Sequence, residues 1–180
     1  MKRRDVQLMQ VETRDWSELP ADALTVVFAK LGIVGVLMGA GLVCHSWLNA
    51  AKMPDLWRSV EMSRLDLDVM TFNENVLCAM AKVAVDRSDG RLEVFKGHDF
   101  VSDELLKHIG NRSPYLKVLS LSCYSPTRVT LEGFSYLTKR CRLLEDIFYD
   151  CRIVQPLLVL AELQQLRYLT LQGTSISKKG

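Results

Sequence analysis

The chain has 180 residues, 48% hydrophobic and 24% charged, which supplies enough apolar material for one or two folded domains. Twenty-three basic against twenty-one acidic residues leave a formal charge of +2, a balance that argues against a nucleic-acid or membrane surface held by charge. Five widely spaced cysteines, an odd number with no Cys-x-x-Cys pair, argue for reduced thiols packed as small apolar groups and against a disulfide framework or a zinc site.

In chain order, residues 1–14 read as a solvated tail. Lys2-Arg3-Arg4 is followed by Asp5, Gln7, Gln10 and Glu12, which interrupt the apolar core a secretory signal would need. The proline of Leu19-Pro20 suits the first position of a helix, with Asp22 in its first turn. Leu24, Val27, Phe28 and Leu31 then fall on one helical stripe. From Leu31 to Cys44 runs an uncharged stretch of fourteen residues, shorter than the roughly 20 needed to span a bilayer, with four glycines that predict a short helix with a break near Gly32 and Gly35. Val43, Trp47 and Ala50 have helical spacing again, Met53-Pro54 ends that helix, and Leu56-Trp57 folds back. Three helices over about 45 residues are too few to bury two tryptophans, a phenylalanine and this many aliphatics among themselves. Something else must cover them, either a partner protein or the domain that follows, for which the segment would be a helical cap.

These residues carry a resemblance. Leu19-Pro20, Asp22, Leu24, Val27, Phe28 and Leu31, then Leu42-Val43-Cys44 and Trp47, then Pro54, Leu56 and Trp57 are similar to the F-box, in order and with its gaps, over residues 15–62. Many F-boxes carry an acidic residue just before the leucine corresponding to Leu37, where this chain has Gly35-Val36. The resemblance implies docking on a Skp-type adaptor by Leu19, Pro20, Leu24, Val27, Phe28, Leu31, Leu37, Val43, Cys44, Trp47, Leu56 and Trp57, without dividing adaptor contacts from internal packing.

Residues 63–180 show an internal repeat. Val76, Leu77, Met80 and Val83 predict a helix after Asn73 or Asn75, closed by Gly90. Leu116-x-x-Leu119-x-Leu121-x-Cys123 then recurs as Leu144-x-x-Ile147-x-Tyr149-x-Cys151 and Leu166-x-x-Leu169-x-Leu171-x-Gly173, with a weaker first copy at Leu92, Phe95 and Gly97. The central positions Phe95, Leu119, Ile147 and Leu169 lie 24, 28 and 22 residues apart, which fits a leucine-rich repeat of one strand and one helix. Ser102 caps a helix bearing Leu105, Leu106 and Ile109; Thr130 caps one bearing Leu131, Phe134 and Leu137; Pro156 opens one bearing Leu157, Leu160 and Ala161. About four such units stack into a short solenoid with strands on its concave wall, and no polar capping repeat is evident after Leu171. An ordinary α/β sheet is the alternative. Strand residues facing away from the core, Lys96, His98, Ser120, Ser122, Phe148, Asp150, Tyr168, Thr170 and Gln172, are the candidates for contact with a target protein.

The expected fold is therefore α/β, a three-helix F-box followed by leucine-rich repeats, and the whole resembles the plant F-box/leucine-rich-repeat proteins. That family implies a non-catalytic substrate receptor of an SCF-type ubiquitin ligase in the cytoplasm or nucleus, joined through the adaptor to cullin and RING subunits. It implies no cofactor, metal, nucleic acid or membrane. A second reading keeps the adaptor contact but makes the chain a competitor without a substrate of its own. Catalysis is disfavoured because His45, His98 and His108 stand without a nucleophile elbow, phosphate loop or ligand cluster, and Cys44 and His45 diverge by about 100° on a helix.

Overall fold

The computed structural model describes residues 15–62, 73–123, 128–151, 160 and 163–172. The expected tail at 1–14, the helix start at Pro156, Leu157 and Ala161, and the position of Gly173 lie outside these.

A 3-10 turn, Trp16–Glu18, precedes the first helix and was not expected; the Asp15 carboxylate caps it by accepting from Ser17 N at 2.9 Å. Helix α1 runs Ala21–Gly35, with Pro20 one place earlier than expected, as its cap. Gly32 breaks it at φ 69°, ψ 171°, a backbone state that side chains with a Cβ rarely tolerate. Gly35 is ordinary helix and punctuates nothing. A π-wound segment, Val36–Ala40, and α2, Gly41–Val43, complete this arm. Taken through its break, Ala21–Val43 is 23 residues long and contains an 18-residue window of mean hydropathy 2.2, so the apolar helical run is longer than the uncharged fourteen and is long and apolar enough to cross a bilayer. Cys44 is extended, at φ −164° and ψ 176°, and α3 begins after it at His45–Ala50. Val43 therefore does not share a helix with Trp47, contrary to the expected spacing. Met53 is extended, and Pro54 opens a second 3-10 turn, Pro54–Trp57, that brings Trp57 back into the core.

Five parallel strands follow in chain order: β1 Ser59–Glu61, β2 Val94–Gly97, β3 Val118–Cys123, β4 Asp146–Cys151 and β5 Tyr168–Gln172. Phe95, Leu119, Ile147 and Leu169 pair in one register, as their repeat positions require, and Val60 extends the row to β1. Sequence reading missed β1, whose Ser-Val-Glu holds one apolar residue and no usable alternation. Helices connect the strands: α4 Glu74–Arg87, α5 Asp103–Arg112 and α6 Leu131–Arg140, capped by Asn73, Ser102 and Thr130. In α4 the buried face is Leu77, Ala81, Ala84 and Val85, while Val76 and Val83 face outward and Met80 packs at the margin. Larger side chains suggested the wrong stripe; the small alanines admit the neighbouring elements. Leu131 is likewise exposed, whereas Phe134 and Leu137 are buried. Gly90 closes the connection after α4 at φ +82°.

One device recurs before each strand after β1. Arg58 O accepts Glu93 N and Val94 N at 2.8 and 3.1 Å, Glu93 O accepts Lys117 N and Val118 N, Lys117 O accepts Glu145 N and Asp146 N, and Glu145 O accepts Arg167 N and Tyr168 N. The side chains along this rail alternate in sign. Glu93 pairs with both Arg58 and Lys117, which hold its carboxyl below the ordinary range, and Arg167 lies 3.8 Å from Glu145. On the helix side Lys82 meets Glu104 at 3.5 Å and Lys107 meets Glu132 at 3.2 Å. Such exposed pairs each contribute at most about 1 kcal/mol, so they set register more than stability.

Stability resides in one apolar cluster that runs without interruption from Leu24 and Phe28, through Trp57 and Phe95, to Leu144 and Ile147. A tight stitch joins α5 to α6: the Asp103 carboxylate accepts from Thr130 N at 2.8 Å and from Thr130 Oγ1 at 2.6 Å. A Cβ on Gly133 would stand 2.0 Å from Asp103 Oδ1 and 2.9 Å from Asp103 Cβ. Gly133→Ala should therefore reverse the usual gain of about 1 kcal/mol from removing a helical glycine and destabilise the chain by about 1–2 kcal/mol, measurable by urea unfolding.

Candidate docking surfaces

The F-box arm sorts its candidate residues by depth. Leu24, Phe28, Trp47 and Trp57 are buried; Leu19, Val27, Leu37, Cys44 and Leu56 are partly buried against the core; Pro20, Leu31 and Val43 are exposed. Of the two covers expected for Phe28, Trp47 and Trp57, a partner protein or the rest of the chain, a partner is not required, because the chain buries all three itself. Phe28 and Trp47 meet edge-to-face at 5.5 Å, Trp47 Nε1 donates to Trp16 O at 2.9 Å, and Trp57 Nε1 donates to Ala51 O at 3.0 Å. The Arg87 guanidinium of α4 sits 5.2 Å from the Trp57 ring centroid, so the following domain contributes to the cover of Trp57.

The apolar side chains the arm leaves open are Trp16, Val26, Met53 and an aliphatic group around Leu42. Leu42 is 85% exposed, Val43 50%, and Leu31 and Met38 47% each. Neither Leu42 nor Met38 was among the candidate contacts, although the uncharged run around them was the available signal. Between the broken α1 and the segment 54–61 lies a cleft of about 580 Å³ floored by Phe28, Val36 and Trp57. Its rim carboxylates are already paired, Asp55 with Arg91 at 3.0 Å and Glu61 with Lys96 at 3.0 Å.

The second surface is the sheet face opposite the helices. Register sets Glu61, Lys96, Ser120, Phe148 and Thr170 in one row and Ser122, Asp150 and Gln172 in the next. Tyr168 belongs to a third row, with Ser59, Val94, Val118 and Asp146. His98 lies just past the end of β2, its ring 3.0 Å from the Asp99 carboxylate. In β3, Leu119, Leu121 and Cys123 are buried while Val118, Ser120 and Ser122 are half-buried, the alternation expected of one covered face. In β5, at the sheet edge, even Leu169 stays 38% exposed.

Among the described residues no group of three or more His, Cys, Asp or Glu could hold a metal ion. Cys44, Cys78 and Cys141 are free thiols. Burial pushes the Cys141 thiol up to about 12, and its Sγ donates to Ser113 O at 3.4 Å. Cys44 Sγ lies 3.0 Å from Ser46 Oγ, a contact that lowers its pKa, while the neighbouring His45 is exposed. His108 is held on the helix side, 2.9 Å from Asp86.

The geometry thus defines a class: a broken helical arm with an open aliphatic edge, sharing its core with a parallel α/β sheet. Residues 16–59 match the F-box domain. The chain is 36% identical to F-box protein SKIP19 of Arabidopsis thaliana over 124 residues, 68% of this chain and 39% of that protein. It is 31% identical to putative F-box/LRR-repeat protein 23 of the same plant over 133 residues, 73% of this chain and 28% of the relative, and 31% identical to putative F-box protein At4g05475 over 136 residues, 76% and 42%. The chain spans less than half the length of each of these relatives. The chain therefore carries an F-box domain and is similar to plant F-box proteins.

Proposed function

We propose that the chain is a substrate-recognition subunit of an SCF-type ubiquitin ligase. Its F-box docks on a Skp-type adaptor, through which cullin and RING subunits are joined, and its strands and helices act as a leucine-rich-repeat solenoid whose sheet face holds the target protein. The observation that carries this reading is Leu42, 85% exposed on the F-box arm beside exposed Leu31, Met38 and Val43. Burying one such side chain is worth about 1.5–3 kcal/mol, so a few of them supply an interface core. The consecutive parallel register of β1 to β5, with the repeated positions of β2 to β5 lying 22 to 28 residues apart, supports the solenoid. The chain's own work is binding: it raises the local concentration of target lysines beside a charged conjugating enzyme and has no catalytic residue of its own.

The apolar arm is a protein-docking element and not a membrane span, a reading supported by the break at Gly32, by Asp22 and Lys30 within the arm, and by the F-box match across it. The complex works in the cytoplasm or nucleus and engages no nucleic acid. A reconstituted ligase containing this chain should ubiquitinate a protein that co-purifies with it and is lost when sheet-face residues are changed. If the chain instead only lowers the output of other receptors, it is a competitor for the adaptor and the receptor reading is wrong.

A further inference from the structure

The sheet face is not uniform, and its two ends differ in a way that bears on what they hold. At the β1–β2 end the charges are satisfied within the face, Glu61 meeting Lys96 at 3.0 Å. At the β4–β5 end, Asp146 and Asp150 have no ion-pair or hydrogen-bond partner among the described residues. They stand two residues either side of Phe148 on the same face of β4, about 13 Å apart at 3.3 Å per residue. Alongside them, in register on β5, are Tyr168 beside Asp146, Thr170 beside Phe148 and Gln172 beside Asp150. Tyr168 is 69% exposed.

We propose that this end of the face takes a cationic, extended polypeptide segment, with Lys or Arg heads at Asp146 and Asp150 and aliphatic stems lying over Phe148 and Tyr168. This rests on the reading of the sheet face as the target surface and names the chemistry of that target. Three features favour it. Among the described residues the carboxylates have no counter-ion, so a cation meets them without displacing one of these. Phe148 between them and Tyr168 beside Asp146 are rings over which a guanidinium or an ammonium stem is held by cation–π attraction and apolar contact. The spacing of the carboxylates matches side chains four residues apart on one edge of an extended partner. Because the whole chain carries +2, a preference for a cationic ligand cannot come from its overall field and must be local.

The test uses the intact chain and three labelled twelve-residue peptides: one with lysines four positions apart on an apolar background, its glutamate counterpart, and its glutamine counterpart. Fluorescence anisotropy should give the lysine peptide at least tenfold tighter binding than the glutamate peptide, weakening with salt. The preference should vanish in Asp146→Asn/Asp150→Asn and survive in Glu104→Gln/Glu132→Gln on the helix side. Tyr168→Ala should weaken the lysine peptide while leaving its preference over glutamine. Equal binding of the three peptides, or a lysine preference untouched by the aspartate changes, would overturn the proposal. Capture of the adaptor, measured on the same variants, reports the F-box reading separately and should be unchanged throughout.

Discussion

Trp57→Ala should cost about 3–5 kcal/mol, a loss that takes most of the stability of a chain in the usual 5–15 kcal/mol range. Trp57 is fully buried at the point where the F-box and the sheet domain meet. Its removal would leave a cavity in the shared core, take from the Ala51 carbonyl its indole donor, and strip the Arg87 guanidinium of the ring beneath it. Urea unfolding followed by circular dichroism should show a lower midpoint, and unfolding of the F-box helices and the sheet should remain coincident. Trp57→Phe, which keeps much of the volume, should lose less. A cost below about 1 kcal/mol would mean that the two parts do not stand on one core.

The other large effect is expected in binding. Leu31→Asp/Leu42→Asp should weaken capture of a Skp-type adaptor by at least about 100-fold, because two apolar contacts worth on the order of 1.5–3 kcal/mol each are lost and two carboxylates must be desolvated in their place. Both side chains are exposed in the free chain, so the thermal midpoint should move little. Leu24→Asp makes the contrast: its side chain is buried, and the expected consequence is unfolding. Isothermal titration for binding and thermal circular dichroism for folding separate the two effects. Full adaptor binding by a folded Leu31→Asp/Leu42→Asp chain would remove the aliphatic edge from the interface.

Much of this architecture was legible in the residues. The strand register followed from Phe95, Leu119, Ile147 and Leu169, because a repeated unit must present the same side chain to the same layer of core. Ser102, Thr130 and Asn73 announced helix starts through their oxygen chemistry, and Gly90 announced a turn through its positive φ. What pattern could not resolve was competition between equivalent destinations. Helical spacing placed Phe28, Trp47 and Trp57 on sticky faces but could not say whether a partner or the chain's own α4 would cover them. The exposure of Leu42 was hidden for the same reason. β1 was too short to show alternation, and the buried alanines of α4 carry little hydrophobic signal beside Val76 and Val83. The position of Asp146 beside Tyr168 and the alternating rail Arg58, Glu93, Lys117, Glu145 and Arg167 emerge only when residues far apart in sequence are laid in register.

The open aliphatic edge of the F-box arm is the surface on which adaptor docking is expected. The most direct measurement is hydrogen–deuterium exchange of the intact chain with and without a saturating purified Skp-type adaptor. A one-to-one complex should form, with slowed exchange concentrated in residues 31–43 and little change across β2 to β5. Absence of a complex, or protection that falls on the sheet and spares 31–43, would contradict the account.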